Sequence, residues 1–108
     1  MKKVCLCILI CLSGLVEAGG LVQNATVVSV ENTKNLDVDS FVVNVSGGTG
    51  ICANSLVFFP AAATGSHQEI YRRAFSIALT ALSTGMKVDI HSFSDDTCDN
   101  ATWLKVKK

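Results

Sequence analysis

One amphipathic helix constrains this chain more than any other stretch. Residues 66–85 open with Ser66-His67-Gln68-Glu69, the pattern of a capping box. In such a box the Ser66 hydroxyl accepts from the Glu69 N–H and the Glu69 carboxylate accepts from the Ser66 N–H. Apolar residues then recur at helical spacing through Ile70, Ala74, Ile77, Ala78, Ala81 and Leu82, and Gly85 supplies a left-handed residue that stops the helix. At about 100° per residue, Arg72, Arg73, Ser76, Thr80, Ser83 and Thr84 share one polar arc of roughly 120°. The rest of the circumference is apolar and includes Tyr71, Phe75 and Leu79. A face that wide exceeds what one sheet covers. The helix therefore either lies in a groove of its own domain, or packs its sheet on one flank and a neighbouring subunit on the other.

The chain is 108 residues long, enough for one small domain. Residues 1–18 read as a secretory signal: Lys2 and Lys3 form a basic start, residues 4–12 an apolar core, and Val16-Glu17-Ala18 a cleavage motif before Gly19. The apolar run is well short of the ~20 residues that a bilayer-spanning helix needs. Ile10 before Cys11 is unsuited to lipidation, which wants a small residue there. Residues 19–108 are then the mature domain, expected outside the cytoplasm, secreted or periplasmic, and with no transmembrane segment. Of five cysteines, Cys5, Cys7 and Cys11 leave with the leader, and the remaining Cys52 and Cys98 are expected to form one disulfide. It closes a loop of about 47 residues, which the chain-entropy model values at ~4 kcal/mol. A catalytic Cys52 would need an oriented histidine, and no motif places His67 or His91 for that task.

Charge excludes one class of partner. Nine Lys/Arg balance nine Asp/Glu; once Lys2, Lys3 and Glu17 are removed, the mature chain carries a net charge of −1. Lys105, Lys107 and Lys108 are the sole basic cluster, too little for a polyanion-binding surface, so nucleic acid is not an expected partner. Gly47-Gly48-Thr49-Gly50 lacks the Gly-Lys-Ser/Thr of a phosphate loop and reads as a flexible turn. The acidic stretch at residues 94–100 lacks the spacing of a calcium loop and reads as an Asx-rich turn tethered by the disulfide. Asn24-Ala25-Thr26, Asn44-Val45-Ser46 and Asn100-Ala101-Thr102 match glycosylation sequons, at a frequency expected by chance in so Asn- and Ser-rich a chain. No paired carboxylates, metal-ligand cluster or nucleophile constellation stands out. The expectation is a protein that is not an enzyme and carries no cofactor or metal.

Strands are expected at residues 25–31, 41–46, 56–59, 87–93 and 102–106. Residues 32–39, rich in Asn and Asp, read as the connection between the first two. In the second strand Phe41, Val43 and Val45 face inward; in the last, Leu104 and Val106 face inward while Trp103 and Lys105 face out. Three strands, a helix and two strands give an α+β, mainly β class (βββαββ). This is the layout of a five-stranded OB-fold barrel with its helix between strands three and four, an open sheet being the main alternative.

The run from Ile70 to Ile90 resembles the helix-to-strand segment of subtilase cytotoxin B-subunit-like proteins, the OB-fold B subunits of an AB5 toxin, and of related small exported gammaproteobacterial proteins of unknown function. Tyr71, Ala78, Thr84-Gly85, Val88 and Ile90 carry the likeness, which spans roughly residues 22–93 and includes a Val-rich first strand and a cysteine ahead of the helix. The resemblance implies an OB-fold that assembles into a ring of five, with helices lining a central pore and glycans bound on the flanks. Its sugar-binding serine falls near Asn24 and its tyrosine near Ser92. Asn24 can still hydrogen-bond a hydroxyl, whereas Ser92 has no ring on which a sugar packs. Trp103, on a strand face matching His91 and Phe93, is the other place where a sugar or a neighbour can stack. The functional expectation is a non-catalytic binding module, glycan-binding and homo-oligomeric, with a catalytic toxin subunit as a possible partner. The alternative is a stand-alone exported domain with an interaction or inhibitory role.

Overall fold

Because the first strand has to serve two neighbours in succession, it organises the whole sheet. The computed structural model describes residues 19–108; the leader expected over residues 1–18 lies outside them. In chain order the elements are β1 (Gly20–Asn35), β2 (Val38–Ser46), β3 (Leu56–Pro60), a short 3-10 turn (Ala61–Thr64), α1 (Gln68–Thr84), β4 (Lys87–His91) and β5 (Trp103–Lys107). They form one five-stranded antiparallel sheet in the order β3-β2-β1-β4-β5. The expected class, mainly β with the helix between strands three and four, is what the chain adopts.

β1 pairs with β4 from Gly20 to Thr26 and with β2 from Thr26 to Asn35. Three irregularities make the handover possible, two of them between Gly20 and Ala25 and one between Val27 and Ser29. At the last, Val27 is buried, Val28 and Ser29 both point to solvent, and Val30 turns back toward the core. Such an extra residue bends a strand and increases its twist. The first strand is therefore far longer than the stretch 25–31, and residues 32–39 are not a loop. They continue both strands to a two-residue turn at Leu36-Asp37, where both residues have positive φ, 51° and 64°. That combination defines the tight turn whose twist suits a hairpin. The arm is exposed on both faces, with Leu36 at its tip 90 % accessible.

The core lies between this curled sheet and α1. Phe41 of β2 stacks on Phe59 of β3 with ring centroids 4.5 Å apart, and Tyr71 and Phe75 of α1 meet Phe41 at 5.5 and 5.2 Å. Leu21, Val22, Val43, Val57, Val88 and Ile90 are fully buried around them. The helix contributes only Ala74, Ala78 and Ala81 to the fully buried set. Small residues bring its backbone close to the sheet and leave both flanks half-exposed, Ile70 and Ile77 on one side, Tyr71 and Phe75 on the other. The helix thus does not lie deep in a groove. Its C-terminal stop is as expected, with Gly85 left-handed at φ 74° and its N–H donating to the Ala81 carbonyl. The capping box does not form. His67 occupies the N-cap position with no side-chain hydrogen bond. Gln68 instead donates to the Ala61 and Gly65 carbonyls, and Glu69 pairs with Arg72.

Gly47-Gly48-Thr49-Gly50 is held close against the start of β1. Gln23 and Thr49 exchange both backbone hydrogen bonds, and Cys52 donates to the Leu21 carbonyl. A Cβ at Gly48 would collide with the Gln23 carbonyl oxygen and one at Gly50 with that of Leu21, whereas at Gly47 nothing lies within 4 Å. Glycine here permits backbone contact, as well as a turn. Gly48→Ala and Gly50→Ala should each destabilise the fold by ~1–3 kcal/mol in urea unfolding, and by more than Gly47→Ala, which bears only the cost of its positive φ. Equal costs at all three positions would contradict the close approach.

Candidate functional site

The segment after β4 decides where the candidate residues point. Ser92 is 6 % exposed. Its N–H donates to the Gly19 carbonyl, and its Oγ accepts from the N–H groups of Ser94 and Asp95 while donating to the Asp95 carboxylate. Asp95 also accepts from the Thr97 hydroxyl at 3.1 Å and the Asn100 amide at 3.0 Å. Burial opposes ionisation of Asp95, but these donors from Asn100, Thr97 and Ser92 outweigh it and hold its carboxyl below the ordinary value. The acidic loop thus uses its central carboxylate to hold its own shape. Among the described residues no group of three or more His, Cys, Asp or Glu side chains is placed to hold a metal ion.

With this loop folded inward, the chain emerges again at Phe93 and returns as β5. Cross-strand register sets Trp103 opposite His91, and the two rings stack with centroids 4.1 Å apart and planes 10° from parallel. Trp103 is 38 % exposed and Phe93 54 %. Beside them a cleft of about 280 Å³ opens between the Ile70/Ile77 flank of α1 and the start of β5, with Arg73, Ala74, Phe93, Trp103 and Leu104 completing its lining. Its walls are apolar or aromatic, and Arg73 is its one charged side chain. Few polar groups on a hydrophobic wall is the usual make-up of a small-ligand site.

Of the three residues singled out in the sequence, the structure therefore brings only Trp103 to a cleft. Ser92 lies beneath the surface, engaged in its loop. Asn24 sits on a bulge of β1 with φ 59°, its N–H donating to Asp89 Oδ1 at 2.9 Å, and is itself exposed. Cys52 and Cys98 are joined as expected, with Cα atoms 5.7 Å apart. The contribution of Ile70, Arg73 and Ile77 was open to sequence reasoning as one helix flank carrying a lone cation. What it meets in space was not.

Asp89 is a second buried polar group of this region. In β4 it lies between the core residues Val88 and Ile90, and it is 4 % exposed. Burial works against its charge. The Asn24 N–H and the Lys107 ammonium at 3.0 Å outweigh that, with help from Lys105, and hold the carboxyl below its ordinary value. A second groove, about 400 Å³, runs along the opposite helix flank over Phe41, Tyr71 and Phe75, with Asn32, Arg72 and Ser76 at its rim. Burial, then the nearby Asp39 carboxylate, push the Tyr71 hydroxyl above its usual pKa.

Set beside known proteins, the chain belongs to a family of unknown function (DUF5992), whose model matches residues 1–108. No curated protein and no solved structure matches it.

The Asp89 pairing has a definite pH signature. A carboxyl whose pKa is lowered by folding stabilises the fold above the unfolded-state pKa of about 3.9, and that contribution fades as pH falls through the folded-state value. Asp89→Asn should therefore cost ~1–3 kcal/mol at neutral pH, and the gap between variant and parent should close on acidification below about pH 4. A gap independent of pH in urea titrations would contradict the ion pair.

Proposed function

We propose that this family member is an exported, non-catalytic binding module that takes the terminal ring of a glycan in the cleft beside Trp103. The observation that carries the reading is the Trp103–His91 stack at the mouth of that cleft. An indole backed by a second ring is held in one orientation, and a rigid aromatic face offers the apolar side of a sugar a platform at little entropic cost. The volume suits a single ring, and Arg73 offers a planar donor fork to a carboxylate on it. An acidic sugar is therefore the favoured ligand. The disulfide, and the fact that no described helix is long and apolar enough to cross a membrane, are compatible with a secreted or periplasmic location.

The sheet is read here as an OB-type barrel. Its support is the strand order, together with two backbone hydrogen bonds by which Phe58 of β3 meets the approach to β5, one to the Cys98 carbonyl and one from the Ala101 N–H. Self-association, in a ring of five as the toxin-subunit resemblance implies, is supported by the other helix flank. There Tyr71 and Phe75 border an apolar groove, and Leu79 and Leu82 are 41 % and 39 % exposed. A stand-alone exported domain with no toxin partner is the competing reading.

Two measurements decide. On a glycan array followed by calorimetry, the mature protein should bind acidic glycans, Trp103→Ala should weaken binding at least about tenfold, and Arg73→Gln should remove the preference for acidic over neutral sugars. Absence of binding at millimolar concentration, or unchanged binding by Trp103→Ala, would overturn the site. Light scattering at micromolar concentration should report a multimer; a monomer would remove the ring and favour the stand-alone domain.

A further inference from the structure

The first described residue is fixed by the same loop that buries Ser92. The Gly19 nitrogen donates to Asp96 Oδ1 at 2.6 Å, and its carbonyl accepts the Ser92 N–H at 2.6 Å. A Cβ on Gly19 would run into the Ser92 carbonyl oxygen, so no side chain fits at this position without displacing the backbone. β1 begins at the next residue. In the sequence, Gly19 is also the residue that follows Val16-Glu17-Ala18, whose small residues stand at the −3 and −1 positions of a leader-peptidase site. Two unrelated lines, a cleavage motif and a carboxylate placed on a backbone nitrogen, meet at one peptide bond.

We infer that the Ala18–Gly19 bond is a processing site, and that cleavage seats the new α-ammonium of Gly19 on the Asp96 carboxylate. The inference rests on the export reading. In the cleavage step a leader peptidase adds water across the bond. The Ala18 carbonyl carbon takes the hydroxyl and departs as a carboxylate, and the Gly19 nitrogen keeps its hydrogen and takes up protons to become an ammonium. No oxidant or other co-reactant is involved. One amide N–H facing Asp96 is thereby replaced by three donors and a positive charge, and a charge-assisted bond is stronger than the neutral one it replaces. Asp96 is exposed, so the gain belongs to the scale of partly solvated pairs. Its structural consequence is that the start of β1 is tied to the loop carrying Ser92, Asp95 and Cys98. Maturation strengthens a second tether on the segment that the disulfide holds.

The test begins with the full chain expressed with its own leader in an exporting host, and the N-terminal residue read by intact mass and terminal sequencing. The expected terminus is Gly19. The mature chain is then compared with its α-N-acetylated form, each with and without Asp96→Asn, by urea unfolding. Asp96→Asn should lower the folding equilibrium constant about two- to fivefold more in the free-amine chain than in the acetylated one. A chain exported but cut elsewhere, or an Asp96→Asn effect equal in both backgrounds, would overturn this inference and leave the export reading standing. A chain that stays unprocessed and inside the cell would sink both.

Discussion

The Cys52–Cys98 disulfide ties together two places where the chain is out of the sheet, and the rest of the architecture depends on their being close. Cys52 follows the glycine turn, itself hydrogen-bonded to the beginning of β1. Cys98 lies in the acidic loop, beside the two bonds that connect Phe58 of β3 with the approach to β5. β3 and β5 are the outer strands of the sheet, so the crosslink lies where its two ends curl toward each other. For a separation of 46 residues, the loss of unfolded-chain entropy is ~4 kcal/mol. That is a large share of the margin available to a domain of this size.

Curling the sheet also explains how the cleft arises. β1 hands over from β4 to β2 through successive bulges, and the sheet must twist strongly at that point. Asn24, on one of those bulges, turns its N–H onto Asp89, which Lys107 neutralises from β5. The β1–β4–β5 edge is thus stitched by one carboxylate. On the other side, a helix whose buried stripe is alanine alone approaches closely and leaves Ile70 and Ile77 standing over the start of β5, beside Trp103. The aromatic mouth and the apolar wall are by-products of the same geometry: a short-limbed helix face against a strongly bent sheet.

Much of this was legible in the residues, and the gaps have physical causes. The alanine stripe, the Gly85 stop, the inward faces of β2 and β5 and the pairing of the two late cysteines all follow from local periodicity and counting. The hairpin arm escaped because both its faces meet water, so residues 32–39 show no apolar alternation and their Asn and Asp content mimics a loop. The capping box failed because the helix starts one residue later, with His67 at the N-cap, and the Glu69 carboxylate pairs with Arg72 instead. The burial of Asp89 could not be read from strand alternation, because its partners come from residues 65 positions earlier and 18 later. For the candidate site, the Trp103–His91 face was readable from strand register, but Ser92 was not readable as buried. Its burial depends on a loop that folds around its own Asp95.

The disulfide holds a seam between β3 and the chain leading into β5, and native-state hydrogen exchange tests this most directly. Oxidised and reduced protein would be compared amide by amide under conditions that favour the folded state. Reduction should speed exchange at the Phe58 and Ala101 amides well before it affects the β1–β2 ladder, since those two groups bond across the seam. Unchanged protection at Phe58 and Ala101, or a loss shared equally by the β1–β2 amides, would contradict it.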